Sequence, residues 1–247
     1  GPRQTIANAC AAGTDAIGTA LGWIRAGRCR LALAGGADGL CRTTYNGFAA
    51  LMISSPEPCT PFAAHRRGLN LGDGAAMVVL AAADAVDRCA VHGYVLGYGS
   101  GVDAYHLTAP HPDGVGLRRA LQLALADAGA QAADVAYVNA HGTGTPDNDR
   151  VEAAVLADCL PGVPFSSTKG CTGHTLGAAG ALEAAFTVGA LNAGRLPANV
   201  GCAAPDPELP APPLSASTAP EGTLALSESL AFGGGNSVLA LGGRAHG

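Results

Sequence analysis

The sequence predicts an α/β fold of stacked strands and helices, and three observations carry that reading. Strand-like and helix-like segments alternate along the chain. Apolar residues make up 48% of the 247 residues and charged residues 13%, which excludes wholesale disorder and suffices for a sizeable core. Glycine supplies 36 residues, about twice ordinary usage. Aromatics are only 4%, so the interior is built from Ala, Gly, Leu and Val, with backbones at close approach.

The elements follow in order. Residues 4–9 (QTIANA) read as a short strand running into Cys10. Residues 14–26 carry apolar positions 16, 17, 20, 21 and 24, a helical stripe stopped by Gly27. Residues 30–37 read as a buried strand, and 75–81 as another after a loop rich in Pro, Gly and Arg. Residues 91–102 are strand-like with glycines. Residues 115–128 form an amphipathic helix with Leu117, Leu121, Ala124, Leu125 and Ala128 on one face and Gly129 as its C-cap. A strand at 134–139 delivers His141 at its exit. Asp147 then reads as a helix N-cap, with Asp149 and Glu152 in the first turn. A short strand at 163–167 leads to Lys169, and a long helix at 176–193 is closed by Gly194. Residues 199–220 form a Pro-rich surface excursion. The last strands, 223–231 and 237–241, are joined across the run Phe232, Gly233, Gly234, Gly235, Asn236.

Several function classes are excluded or disfavoured by composition. A net charge of −5 argues against a nucleic-acid or membrane-surface protein. No uncharged apolar run reaches the ~18 residues of a membrane span, and the first residues show no charged-then-apolar signal. The eight cysteines (10, 29, 41, 59, 89, 159, 171 and 202) contain no C-x-x-C, which predicts no zinc site and no dense disulfide framework, a reducing cytosol, and mostly buried thiols. Gly97, Gly99 and Gly101 miss a dinucleotide fingerprint because position 102 is Val. Walker A, G-x-S-x-G and H-E-x-x-H motifs are absent, as are solenoid repeats.

What remains is a Cys/His/His/Lys constellation. Cys10, in NACAAG, lies between a strand-like run and a helix, where free N–H groups and the helix dipole favour a thiolate nucleophile. A buried cysteine at a turn is the other reading. His141, in NAHGTGT, follows a strand, and His174, in STKGCTGHTLGAAG, precedes a helix; ligands gather at such ends of an α/β sheet. Lys169 is the single lysine beside 13 arginines, and Arg and Lys are not equivalent cations. Coding bias is its alternative explanation. Glu183 on the following helix is placed to pair with Lys169. The glycine run after Phe232 suits a turn whose N–H groups face a reacting atom, or an ordinary hairpin.

NACAAG, NAHGTGTP, STKGCTGH followed by LGAAGALE, and AFGGGN stand in this order, and the chain resembles the elongating β-ketoacyl-acyl carrier protein synthases, the condensing enzymes of fatty acid and polyketide synthesis. The loop TPFAAHRRGLNLGDGAAMVVL fits the same family. The resemblance implies a thiolase-like layered αβαβα fold, with the end of the N-terminal half and the nucleophile at 1–90 and the C-terminal half at 91–247. It implies that Cys10 accepts the acyl chain by transthioesterification, that the N–H groups of Cys10 and Phe232 form an oxyanion hole, and that Phe232 gates the site. His141 and His174 would assist decarboxylation of malonyl thioester, tuned by Lys169 with Glu183. Thr143 and Thr145, with Gly233 and Gly234, would hold the substrate's phosphopantetheine arm, and Asp149 and Glu152 would support the loop. No metal and no resident cofactor are implied, since phosphopantetheine arrives on the acyl carrier protein. A cytoplasmic protein and a two-fold dimer of the complete fold are expected.

Some residues depart from the family pattern. Ala12 stands where Ser is frequent, Ala63 and Arg67 replace acidic residues, Leu69 replaces Phe, and Gly235 replaces a common Thr or Asn. The largest departure is at the start, where only nine residues precede Cys10. The missing half-domain is expected from a separate fragment or subunit; Gly1-Pro2 is either an artificial leader or native sequence at a nick. Two other functions stand against the condensing enzyme. One is a non-catalytic partner subunit of a heteromeric ketosynthase, against which Cys10 argues. The other is a cysteine acyltransferase or hydrolase that does not decarboxylate.

Overall fold

The computed structural model describes residues 1–87 and 91–246. Cys89 and the expected half-domain boundary at residue 90 lie outside the described residues.

The chain enters through a single 3-10 turn, Ala9–Ala11, into helix α1 (Ala12–Arg25). Strands β1 (Leu31–Asp38) and β2 (Gly74–Ala81) pair antiparallel, from Leu31 opposite Ala81 to Asp38 opposite Gly74. Helix α2 (Arg42–Ala50) lies between them in sequence. A second sheet holds β3 (Gly93–Val102), β4 (Val135–Asn139), β5 (Phe165–Ser166), β6 (Leu224–Leu230) and β7 (Gly235–Gly243) in the order β3-β7-β6-β4-β5. Pairing is antiparallel across β3, β7 and β6, and parallel across β6, β4 and β5.

Helices α3 (Val115–Ala128) and α4 (Pro146–Cys159) cover one face of this sheet, where Leu117, Leu121, Val151 and Val155 pack with Leu226 and Val238. The other face carries α1 and α6 (Ala179–Ala193). Ile17, Ala20, Ala181 and Ala184 fill the space between Leu239 and Leu241 of β7 and Ala34 and Leu80 of the small sheet. The result is four layers: small sheet, helices, large sheet, helices. Residues 176–193 are apolar enough, at mean hydropathy 1.2, to span a membrane on composition alone. Here they form a helix between two sheets, carrying the buried Glu183.

The glycines of β3 explain how α3 comes so close. A Cβ on Gly97, Gly99 or Gly101 would sit 2.5, 2.1 or 2.2 Å from the carbonyl oxygens of Ala124, Ala120 and Gly116. The G-x-G-x-G pattern is a packing device and not a nucleotide loop.

Several expectations need correction. Residues 4–8 form no strand, because no strand among the described residues offers them a ladder. β1 is not buried: Leu31 and Leu33 are 58% and 71% exposed, as are Met77 (57%) and Val79 (71%) on β2, so one whole face of the small sheet is bare. Asp147 is not the N-cap of α4; Thr145 holds that place, Pro146 begins the helix, and Asp147 pairs with Arg150 at the surface. Glu152 lies beyond the first turn and is wholly buried. The long helix starts with a 3-10 turn, Leu176–Ala178, before α6. The excursion after residue 199 is not all surface, since Asn199, Cys202 and Leu209 are buried. Among the seven described cysteines, which are all free thiols, only Cys10, Cys59 and Cys202 are buried. Helix α2 was not foreseen, because its TTYNG run has no apolar stripe and no buried residue.

Candidate active site

The site forms where α1, the β4 exit, the loop after β5 and the β6–β7 turn meet. Cys10 is 5% exposed, and its Sγ lies 3.0 Å from His174 Nε2. The rings of His141 and His174 stand edge to face with centroids 5.1 Å apart. Lys169 begins a one-turn helix, α5 (Lys169–Thr172), and is 1% exposed. Its ammonium has three hydrogens and three acceptors: His141 O at 2.6 Å, His141 Nδ1 at 3.2 Å and a carboxylate oxygen of Glu183. An ammonium only donates, so Nδ1 of His141 carries the lone pair and Nε2 carries the proton.

The electrostatics follow from burial. Both imidazoles are held well below their usual pKa, first by desolvation and then by the charge of Lys169, so both rings are neutral. Burial likewise pushes the Cys10 thiol up to about 11, against the opposing pull of Lys169 and the backbone N–H groups of Phe232 and Cys10. This corrects the expectation of a helix-tip thiolate: desolvation outweighs the turn's N–H groups, and the resting state is a thiol beside a neutral imidazole. His174 Nε2 is in place to take the thiol proton.

The loop that carries His141 is held by acids from α4. Glu152 accepts the N–H groups of His141 (2.5 Å) and Gly142 (2.7 Å). Asp149 accepts those of Thr143 (3.1 Å), Gly144 (3.2 Å) and, from the preceding half, Phe62 (2.7 Å). The two acids therefore shape the loop from beneath. Thr143 and Thr145 join through their hydroxyls at 2.8 Å and line a cavity of about 130 Å³ together with Cys10, His141, His174 and Phe232.

Gly233 and Gly234 are placed differently. Their N–H groups are spent on Leu107 O (2.8 Å) and Ala231 O (3.0 Å), and both adopt left-handed backbone (φ 87° and 81°). They shape the turn that aims the Phe232 N–H at the sulfur. Gly235 has a separate reason: a Cβ there would lie 2.9 Å from Asn8 Oδ1, so the Asn8 amide fills the room a side chain would need.

Three contributions were missed in the sequence. Phe48 of α2 stacks on Phe232 at 5.7 Å and 20°. Asp103 ties the β3–α3 loop to the turn: its N–H bonds Gly234 O (2.8 Å), while its carboxylate accepts Gly116 N (2.9 Å) and His111 N (3.0 Å). Glu228 lies wholly buried in β6. Only the last left a signal, a single acid in the otherwise uncharged run LALSESLAF.

Comparison with known proteins decides the family. The model for the β-ketoacyl synthase N-terminal domain matches residues 1–85, and that for the β-ketoacyl synthase C-terminal domain matches 92–203. The chain belongs to the β-ketoacyl synthase family. It is 38% identical to 3-oxoacyl-[acyl-carrier-protein] synthase 2 of Synechocystis sp. over 97% of this chain and 61% of that protein. The corresponding synthase of Staphylococcus aureus is 36% identical, over 97% and 62%. Among solved structures, it superposes on a chain of the complex of the ketosynthase ApeO with its chain length factor ApeC from Xenorhabdus doucetiae (TM-score 0.92, 39% identity, 98% of this chain and 60% of that one). A β-ketoacyl synthase of Burkholderia phymatum gives a TM-score of 0.89 at 37% identity, over 96% and 60%. The fold is thus the thiolase-like one of these ketosynthases, and the chain spans about three fifths of the length of the curated relatives it matches.

Proposed function

We propose that this chain carries the reaction centre of a 3-oxoacyl-acyl carrier protein synthase, which condenses an acyl thioester with malonyl-acyl carrier protein. The observation that carries this reading is the single buried cluster of Cys10 Sγ, His174 Nε2 and the Lys169-bound His141. The Cys10 proton passes to His174 Nε2, the sulfur attacks the acyl thioester, and the carrier thiol leaves with a proton. The bound malonyl thioester then loses carbon dioxide. Its electrons reside on the thioester oxygen as an enolate, which His141 Nε2–H and His174, in its Nε2–H tautomer, stabilise. The enolate carbon attacks the acyl carbonyl, whose developing oxyanion faces the N–H groups of Cys10 and Phe232; the bond to Cys10 breaks, and the departing thiolate takes a proton from solvent to regain the thiol. Thr143 and Thr145 bind the phosphopantetheine arm, which the acyl carrier protein brings; no resident cofactor or metal is needed.

The partners are the acyl carrier protein and the remainder of the fold, on this chain or another, completing a two-fold assembly in the cytoplasm. One similar solved structure is described as a type II polyketide carrier protein in complex with its ketosynthase, which supports the carrier as partner. Two others pair a ketosynthase with a chain length factor, which favours a second reading, that of a non-catalytic partner subunit. The cysteine at position 10 favours the catalytic one. Labelled acyl carrier thioester and malonyl carrier separate them. The catalytic reading expects release of carbon dioxide with chain extension, and His141→Ala should lower that release by about a hundredfold or more while leaving acyl transfer in place. A chain that never takes up label, yet is required for labelling of a companion subunit, would establish the partner reading instead.

A further inference from the structure

The buried charges behind the histidines do not balance. Asp149, Glu152, Glu183 and Glu228 are each no more than 2% exposed. Lys169 answers Glu183, and Arg66 lies against Asp149 with its Nε at 3.8 Å. Among the described residues, no cation answers Glu152 or Glu228. Glu152 is nevertheless well solvated by the protein, because its carboxylate accepts three N–H groups: His141, Gly142 and, at 3.2 Å, Asn148 Nδ2. That is the environment of an anion. Glu228 has the opposite environment. It accepts no hydrogen bond from any N–H or hydroxyl group among the described residues, and its one neighbour in bonding reach is the Glu152 carboxyl. Two carboxyl groups bond only through a shared proton.

We infer that Glu228 is a permanently protonated acid whose O–H donates to Glu152, and that it is a positioning residue for His141. The chain of contacts is short. Glu228 on β6 fixes the Glu152 carboxylate from one side, and Glu152 grips the backbone of His141 and Gly142 from the other. Lys169 independently fixes the His141 ring. The same imbalance agrees with the direction in which both acids are displaced: burial raises Glu228 well above the usual carboxyl range, and the charge of Glu152 raises it further. Glu152 is raised by burial, and Asp149 adds to this, while the His141 and Gly142 N–H groups oppose it. The other titratable groups facing the pair are Cys159, Asp149 and, beyond the loop, Lys169, Glu183 and His141. Ionising Glu228 would set two carboxylates together with nothing positive between them.

The test uses the chain with whatever polypeptide co-purifies with it, and two of its readouts do not depend on the reaction, so the failure of this inference and of the proposed function are separable. Infrared difference spectra at pH 7 should contain the carbonyl stretch of a buried protonated carboxyl, absent in Glu228→Gln. The folding equilibrium gives the second readout. Above about pH 4.5 and below its raised folded value, the folded state holds the Glu228 proton and the unfolded state does not, so stability falls as pH rises. Glu228→Gln removes that slope, about a tenfold change in the folding constant per pH unit. The positioning role is read in the rate of carbon dioxide release. Glu228→Leu, which removes the donor, should lower it about tenfold or more, and Glu228→Gln, which keeps a donor toward Glu152, should recover most of that loss. A wild-type protein without the band, or a pH slope that Glu228→Gln leaves unchanged, overturns the inference. So does stability that depends on added potassium or sodium, because the charge would then be neutralised by a cation. Equal release rates in the Leu and Gln variants would overturn the positioning role.

Discussion

The two sheets of this molecule have been finished to different degrees. Every residue of β4, β6 and β7 in the large sheet is buried, with helices on both faces. The small sheet is two strands wide, covered by α1 and α6 on one face and bare on the other, where Leu31, Leu33, Met77 and Val79 stand in solvent. The chemistry follows the same division. His141, Lys169, His174 and Phe232 hang from the closed side; His141 and Lys169 are held by several hydrogen bonds, whereas the His174 ring bonds Cys10 through Nε2 and its buried Nδ1 has no hydrogen-bond partner among the described residues. Cys10 stands at the seam, on the turn that leads from the unpaired residues 4–8 into α1. The comparison teaches that the electrostatic half of the site is packed between helices, whereas the β1–β2 sheet leaves one apolar face in solvent.

The hardest test of that contrast is Lys169→Met. It leaves Glu183 buried without its cation, and removing one partner of such a pair costs about 3–5 kcal/mol. Chemical denaturation should show a loss in that range, and Lys169→Met with Glu183→Leu should recover much of it. A loss under about 1 kcal/mol would mean that the closed side is not held by this pair.

Gly235→Ala comes next. Its methyl group meets Asn8 Oδ1, and overpacking of this kind costs about 1–3 kcal/mol. Asn8→Ser should relieve it when combined with Gly235→Ala, which would tie residue 8 at the seam to the finished side. Additive losses in the double variant would deny that link.

The acidic pH range sharpens the comparison through the histidines. Their folded pKa values are lowered, so below about pH 6.5 the unfolded chain takes up protons that the folded chain does not, and stability falls as pH falls. Glu228 acts in the opposite sense between about pH 4.5 and its raised folded value, since there the folded state holds the extra proton. Wild-type stability should therefore fall less steeply from about pH 6.5 to 5 than the two histidines alone would make it. Glu228→Gln should lose about tenfold more of its folding constant per pH unit on acidification over that range. Parallel curves for the two proteins would contradict this assignment.

The smallest effect is expected on the open side. Leu33→Glu replaces a 71% exposed leucine and should change stability by no more than about 0.5 kcal/mol while reducing self-association in light scattering. If it unfolds the chain, the face is not bare.

How much of this was legible in the sequence depended on the kind of signal. Helix α3 was read to the residue, because its stripe and the Gly129 cap are local. The site was legible as an ordered set of motifs, and the structure gathers Cys10, His141, Lys169 and His174 as that order implied. Direction of charge was not legible: a helix tip suggests a thiolate at Cys10, but only the packed site reveals how completely the sulfur is desolvated. Helix α2 escaped because it has no buried face to pattern it. The bare face escaped because β1 carries leucines on one side and alanines on the other, both apolar, and a strand's alternation cannot say that one side lacks a partner. Glu228 was visible only as one acid in an apolar run, and its meaning depends on Glu152, 76 positions away in the chain.

The most direct measurement is residue-resolved mass spectrometry of the chain, purified with its companions, after brief exposure to a short acyl-carrier thioester at neutral pH. The account predicts one acyl group per chain, on the peptide containing Cys10, with none on the exposed Cys41 or Cys171, and none anywhere in Cys10→Ala. An adduct that spreads over the exposed thiols, or one that survives Cys10→Ala, would contradict it.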